Sequence, residues 1–429
     1  MEVGNKDRIE EYLNQVCFEI KFREAHQEVK DELTSHLREL IEEHSIQGFD
    51  EKEAVDKAIE KMGAATLVGK QLNKAHRPKP EWSILLPCLF FVGIGLFVMY
   101  AIDEQGLWFT SLFQKCLIFS VLGACLMIAF FFFDYRKLEA YSSYIYWSTM
   151  VMLIFTSHIG PLINGKHWLS IGPLRIDFAS ISPQLFIIAL AGLVNNWDWN
   201  KRLIQGVILF LAPLLIILVS GSLVAGIVYA TASMILLAFS GIGRKFILAI
   251  VGSGLFITAL SIINEPYRLG RLTSFFNPHA DPMGSGYLNL QLSSLIKSSG
   301  WFGQGFVLES HMLPEIHTDF IFTYIIYTFG WLAGIALVSI ILLFLIRIIL
   351  MVSTVNSRYA RLLVVGIGSI FALKFLWHLA MNLGYAPITA VGLPFLSFGG
   401  SQLIFNYVAV GVLLSIFRRK NLSNMSVER

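Results

Sequence analysis

Polar and apolar positions divide this chain into two regions. In the first eighty residues, apolar positions recur at helical spacing within an otherwise polar sequence: Ile9, Leu13, Val16 and Ile20, then Val29, Leu33, Leu37, Leu40 and Ile41. Each set falls on one helical face and predicts an amphipathic helix. The stretch DEKEAVDKAIEKMG (50–63) predicts a third, with Asp50 as N-cap, Glu53 three residues on and Gly63 as its stop. His76–Pro80, HRPKP, reads as a short stiff linker that closes a domain of residues 1–80. No short apolar segment sits behind a basic start, so no signal peptide is expected.

From Trp82 onward, apolar runs of spanning length follow one another. They predict spans near 82–101, 114–133, 142–160, 183–198 and 203–220, then 223–241, 245–263, 319–346, 361–384 and 397–417. The expected fold class is therefore all-α: a polytopic membrane protein of about ten helices over residues 81–429, with a large extracellular loop between helices 7 and 8, behind a small cytosolic helical domain. Basic clusters orient the set. Arg136/Lys137, Lys201/Arg202, Arg244/Lys245, Arg347 to Arg361, and Arg418/Arg419/Lys420 each follow a second span. The positive-inside rule makes those loops cytoplasmic, and both termini with them. Residues 161–182 and 264–318 then lie outside. A loop as long as the second is usually functional or disordered, and its Gly, Pro, Asn and Ser content with embedded charges favours function.

Composition sharpens this picture. The chain is 55% hydrophobic and 15% charged with a mean hydropathy of +0.63, where soluble domains carry about a quarter charged residues. A soluble globular protein is excluded. The net charge of +3 averages unlike regions, because 18 of the 30 acidic residues precede Trp82. Membrane lipid is an expected partner and nucleic acid is not. Cys17, Cys88, Cys116 and Cys125 have no metal-like spacing and read as small buried hydrophobes.

Candidate chemistry gathers in LPEIHTDFIF (313–322), which sets Glu315, His317 and Asp319 at the mouth of the eighth span. Charge at that depth is costly and persists where it has a task. Asp319 serves either as a helix cap or as a reacting acid. Lys374 lies mid-span, with His378 four residues later on the same helical face. It is either a structural partner of a buried carbonyl or a cavity residue near Asp319 that holds phosphate or tunes the acid.

Five motifs in order resemble the SEDS family, the FtsW/RodA/SpoVE membrane proteins of bacterial cell-wall synthesis. They are GKHWLSIG (165–172), YRLGRL (267–272), DPMGSGY (281–287) followed by Gln291, LPEIHTDFIF, and GLPFLSFGGSQL (392–403). The likeness covers residues 82–420. The N-terminal region resembles instead the helical prefix of some Gram-positive permeases. The SEDS likeness implies a peptidoglycan glycosyltransferase that polymerises lipid II at the outer face of the cytoplasmic membrane. The disaccharide of one undecaprenyl-pyrophosphate-linked molecule would pass to another, and a class B penicillin-binding transpeptidase would be the partner. The family's catalytic aspartate falls on Asp319. Lys166, Arg268 and Arg271 are then cations for pyrophosphate, and Trp168 is either a sugar platform or an interfacial aromatic. Asp281, Gln291, Glu315, His317, Lys374, Ser397 and Ser401 complete the expected substrate-binding set. No cofactor is assigned and no acidic cluster specifies a metal, with a divalent cation left as a candidate.

The chain also departs from the family. Ser220-Gly221-Ser222-Leu223 stands for Gln-Pro-Asp-Leu, and Ser182-Pro183-Gln184 for Pro-Ser-Glu. Ile187 replaces a lysine, Tyr327 and Thr328 replace two glutamates, and Asn277 replaces an aspartate. Each change puts a neutral residue in place of a charged one. Two other functions therefore stay open beside the enzyme: a scaffold that recruits a transpeptidase, and a flippase for a lipid-linked precursor.

Overall fold

The computed structural model describes residues 3–76, 81–106, 111–163, 165–172, 174–195, 197, 203–307 and 313–420. Linker residues 77–80 and the Lys201/Arg202 pair lie outside them. Two compact units divide the chain: residues 1–80 with 417–429, and residues 81–416.

The first unit holds α1 (Val3–Glu19), α2 (His26–Ile46), α3 (Glu51–Met62) and α4 (Ala65–His76). Leu13, Val16, Ile20, Val29, Leu33, Leu37 and Ile41 are buried, as the helical spacing requires, and Ala54, Val55 and Ala58 of α3 join them. Asp50 and Gly63 bound α3, but the Asp50 side chain makes no capping hydrogen bond. A fourth helix, α4, was not expected. Its Ala65, Val68 and Leu72 recur at helical spacing and pack on the same core.

In the second unit every predicted apolar run is helical. The helices are α5 (Trp82–Glu104), α6 (Leu112–Phe132), a short α7 (Arg136–Ala140), α8 (Ser142–Ile159), α9 (Phe178–Asn195), α10 (Leu203–Val219) and α11 (Leu223–Phe239). There follow α12 (Arg244–Ile263), α13 (Pro266–Phe276), α14 (Tyr287–Ser298), α15 (Ile321–Thr354), α16 (Arg358–Asn382) and α17 (Gly400–Arg418). Seven of them are long and apolar enough to cross a membrane, and α10 and α11 are shorter apolar helices. The interior belongs to α9 and α16, with 78% and 72% of their apolar stretches buried, against 11% for α12. Cys88 and Cys116 are buried, whereas Cys125 is exposed on α6.

Three local departures from the expected spans shape the site. First, α9 begins at Phe178, five residues before the span predicted from Pro183. Asp177 starts it, since its Oδ1 accepts the Ser180 N–H at 3.0 Å. Pro183 is tolerated inside because the Ser182 hydroxyl donates to the Ala179 carbonyl at 2.9 Å, the acceptor that proline leaves without a helical donor.

Second, α15 breaks at Gly330, where φ is 83° and ψ is 174°. The carbonyls of Tyr327 and Thr328 accept instead from Gln304 N–H at 2.8 Å and Gly305 N–H at 3.1 Å. In exchange, Trp331 N–H donates to the Gly300 carbonyl at 3.1 Å. Third, two small antiparallel hairpins follow α8: β1 (Leu162–Ile163) with β2 (Lys166–His167), and β3 (Leu169–Ile171) with β4 (Leu174–Ile176). Gly221, with φ +88°, lets the α10–α11 turn approach the first hairpin, since a Cβ there would meet the Gly165 carbonyl oxygen at 2.4 Å. That contact gives the Ser-Gly-Ser sequence a structural reason.

Candidate active site

One cavity of about 1750 Å³ gathers Lys166, Trp168, Arg268, Arg271, Glu315, His317, Asp319, Lys374, Ser397 and Ser401 in its wall. These residues come from β2, the strand connection, α13, the loop before α15, α16, the loop into α17, and α17 itself. Asp281 and Gln291 stand outside it. Asp281 is a turn residue, whose Oδ2 accepts the Ser285 N–H at 2.8 Å and whose carbonyl accepts the Gly286 N–H at 3.0 Å. Gln291 lies on α14. Of the positions where a neutral residue replaces a charged one, Ser222, Gln184, Ile187, Asn277, Tyr327 and Thr328, none lines the cavity, although Gly221 and Leu223 beside Ser222 do. Gln184 bonds the buried Asn406 at 3.0 Å, and Ile187 packs against Gly366. The lost charges thus leave most of the cavity wall as it is.

Asp319 sits in a turn just before α15. The turn is built on Glu315, whose carbonyl accepts the Thr318 and Asp319 N–H groups at 3.1 and 3.0 Å. Glu315 itself holds φ at +50°, a left-handed value that a non-glycine residue adopts at a cost. Three contacts from the end of α16 and the loop beyond it pin the turn. Asn382 Nδ2 donates to the Asp319 carbonyl at 3.0 Å, while its Oδ1 accepts from Thr323 Oγ1 at 2.7 Å. Ser397 Oγ donates to the Thr318 carbonyl at 2.6 Å and accepts the Leu393 N–H at 2.7 Å. Phe398 N–H donates to the His317 carbonyl at 2.8 Å. The loop is held in turn by Phe395, whose φ of +68° is fixed by burial. Its ring stacks on Phe371 with centroids 5.8 Å apart.

Ser397 therefore lines the cavity but commits its hydroxyl to the turn. Ser397→Ala removes two bonds, each worth about 1 kcal/mol and more where a partner is left buried. Amide exchange at Thr318–Phe320 is expected to rise by about 5- to 100-fold in hydrogen–deuterium exchange. Unchanged protection would show that the serine does not staple the turn.

Electrostatics separate the three titratable groups of the opening motif. Burial pushes the Asp319 carboxyl up to about 7, and Glu315 adds to the rise, while Lys166 and Arg271 pull the other way. Burial holds His317 below its ordinary value against the opposite pull of Glu315, so it is neutral near pH 7. Its Nε2 lies 3.9 Å from Glu315 Oε2. Glu315 is more exposed and accepts the Thr318 hydroxyl at 3.0 Å. Asp319 is thus the acid that holds or releases a proton near neutrality, within the field of Lys166 and Arg271. Arg268 donates to the Ser261 carbonyl at 2.8 Å and Arg271 to that of Ile388 at 3.3 Å, which fixes both on one face of α13. Trp168 Nε1 donates to the Ile163 carbonyl at 3.3 Å, setting the indole in the wall.

Sequence reasoning missed Asp177. It lines the cavity, its Oδ2 stands 3.7 Å from Lys166 Nζ, and it acts electrostatically on Lys374. Its signal in the sequence is Asp177-Phe178-Ala179-Ser180, an N-cap pattern that lies ahead of Pro183, where the apolar run predicts the helix to begin. His378 faces away from the cavity and ties α16 to the next loop, its Nδ1 donating to the Val391 carbonyl at 2.7 Å. Among the described residues no group of three or more His, Cys, Asp or Glu side chains could hold a metal ion. The divalent cation left open by the sequence has no protein site of that kind among them.

Known proteins resemble this chain in sequence and in fold. The FtsW/RodA/SpoVE family model, described as "Cell cycle protein", matches residues 82–422. "Peptidoglycan glycosyltransferase RodA" of Treponema pallidum (strain Nichols) is 24% identical over 79% of this chain and 98% of that protein. "Stage V sporulation protein E" of Bacillus subtilis (strain 168) is 26% identical over 80% and 98%. A solved structure described as "Structural coordination of polymerization and crosslinking by a peptidoglycan synthase complex" has a chain that superposes with a TM-score of 0.67 at 21% identity. The match covers 80% of this chain and 99% of that one, a likeness of fold.

Proposed function

The chain belongs to the FtsW/RodA/SpoVE family of cell cycle proteins, multi-pass membrane proteins of bacteria, and on that premise we propose that it is a peptidoglycan glycosyltransferase with Asp319 as its base. The observation that carries this reading is one buried carboxyl, poised near pH 7 within the field of cations in the wall of a large cavity. The substrates are two lipid-II-type molecules. Asp319 takes the proton of the acceptor sugar hydroxyl as its oxygen bonds to the donor's anomeric carbon. The bond from that carbon to the pyrophosphate oxygen breaks, and its electron pair leaves with the pyrophosphate. That departing charge is met by the cations of the wall, which are in place before the reaction begins. Trp168 offers a flat apolar face to a sugar ring.

The end of the bundle carrying the hairpins and the 264–320 segment faces outward in this reading, and both termini are cytoplasmic. Residues 1–80 form a cytosolic domain, and the likeness of that domain to permease prefixes favours a Gram-positive source. The partner is a class B penicillin-binding transpeptidase, by analogy with the synthase complex whose fold is shared. The chemistry favours an enzyme over a flippase, since a carboxyl near its point of titration is suited to moving a proton.

Labelled lipid II supplied to the purified protein with a candidate transpeptidase tests this. Glycan polymer is expected, at a rate that climbs as pH rises through about 7. The sign follows from the base: below that value Asp319 holds its proton and cannot accept another. Absence of polymer from folded protein at every pH would sink the enzyme and leave the scaffold.

A further inference from the structure

Asp177, Lys166 and Lys374 form a charged group in the cavity, of which Lys374 and Asp177 have no part in the base catalysis. Lys374 projects from α16, 7% exposed, and lines the cavity without a hydrogen bond to any described residue. Its nearby acid, Asp177, is already committed. Oδ1 caps α9 through Ser180 N–H at 3.0 Å, Oδ2 accepts the Ser180 hydroxyl at 2.6 Å, and Lys166 stands 3.7 Å away. Two ammoniums therefore share one carboxylate that is itself a helix cap. Buried charge of this kind is costly unless paired, the more so within a membrane helix. The set lacks one negative charge, and the open side from which it can come is the cavity.

The geometry points to a buried anion subsite in which Lys374 and Lys166 hold a phosphate of the lipid-linked substrate. The identity of that ligand rests on the glycosyltransferase reading. The subsite is not the family's missing lysine moved by a residue or two. Position 187 packs against Gly366, eight residues from Lys374 and about 12 Å along α16 at the usual helical rise. Lys374 brings a cation from another helix and at another depth. Its apolar stem suits the packed interior while its ammonium makes a point contact with a phosphate oxygen. Asp177 acts as a positioning residue: held by Ser180, it stands 3.7 Å from the Lys166 ammonium and its charge reaches Lys374.

Binding rather than turnover tests this, in Asp319→Ala protein reconstituted in nanodiscs, so that the outcome does not depend on the role of Asp319. The probes are undecaprenyl pyrophosphate, inorganic pyrophosphate and phosphatidylglycerol. Lys374→Met is expected to weaken undecaprenyl pyrophosphate roughly 10- to 100-fold, the range for a lost charge-assisted bond. Lys374→Arg should recover most of that loss, which a packing defect alone would not allow. A parallel loss for inorganic pyrophosphate supports recognition of the phosphates rather than the tail. A loss confined to phosphatidylglycerol would overturn the assignment in favour of a structural lipid. Should Lys374→Met fail to fold, Lys166→Met removes the second ammonium and carries the same expectation. Undiminished affinity in the folded variants sinks the subsite and leaves the enzyme reading intact. An unsubstituted cavity that binds no undecaprenyl pyrophosphate would sink the enzyme reading itself.

Discussion

Asp319→Asn lowers the rate of glycan polymerisation by about 10²- to 10⁴-fold, the span ordinarily supplied by a positioned base, while the protein stays folded. The two halves of this expectation have separate causes. The amide keeps the size of the side chain but cannot take a proton at neutral pH. The fold is indifferent because the turn is held by the backbone and not by the carboxylate. Asp319 contributes its N–H to Glu315 and its carbonyl to Asn382, and its carboxylate makes no hydrogen bond with a described residue.

Stability should even move the other way. A folded-state value raised to about 7 means that ionisation opposes folding. That contribution to stability is whole below the unfolded value near 4 and is lost as pH rises through about 7. Asp319→Asn protein should thus melt higher than the unsubstituted protein at pH 8 and alongside it near pH 4. The measurements are polymer yield from labelled lipid II and melting temperature at the two pH values. Full polymer yield from the variant would remove Asp319 from the chemistry. A melting temperature reduced equally at both pH values would show that the side chain serves packing instead.

Gly330→Ala is the second large effect, and it strikes the fold. At φ 83° and ψ 174° the backbone occupies a region that is essentially glycine's alone. Space forbids the change as firmly. A Cβ at 330 would stand 2.2 Å from the Trp301 carbonyl oxygen and 2.5 Å from the Gly303 nitrogen, and both are backbone atoms that cannot swing aside. Relief requires the 300–305 segment to withdraw, which strips the Tyr327 and Thr328 carbonyls of Gln304 and Gly305 N–H in an apolar setting. Strain and orphaned carbonyls together amount to more than about 4 kcal/mol, the exceptional end of single substitutions. Little folded protein should survive extraction, as read by size-exclusion profile and melting temperature. Recovery of well-folded variant with an unshifted melting point would mean that the break in α15 is not obligatory.

Much of this architecture was legible in the sequence because its causes are local. Runs long enough to span a membrane became helices, and the spacing of Leu13, Val16 and Ile20 buried them together. The candidate site was legible wherever a motif carried its residues, so Asp319, Lys166, Arg268 and Arg271 meet in one cavity. The failures are equally physical. Asp281 belongs to a family motif that the structure places outside the cavity, where a turn consumes its carboxylate. Asp177 is not signalled by the apolar spacing because a proline inside a helix depends on a serine hydroxyl to replace a lost donor, a local bond that spacing does not record. The roles of Asn382 and Ser397 depend on bonds to residues 63 and 79 positions away. The neutral substitutions looked like losses from the cavity. Gln184 and Ile187 instead face other helices, where a buried charge would have needed a partner.

The same long-range bonds govern when the site comes into being. A ribosome adds about 5–20 residues per second, so the 79 positions from Thr318 to Ser397 separate the synthesis of the base from that of its staple by about 4–16 s. Through that interval Asp319 belongs to a turn with no Ser397 or Phe398 to hold it. A chain broken off before Ser397 carries the acid but not the latch. Synthesis through the loop that precedes the last helix is thereby written into the site as a condition of its assembly, a form of quality control that needs no separate inspector.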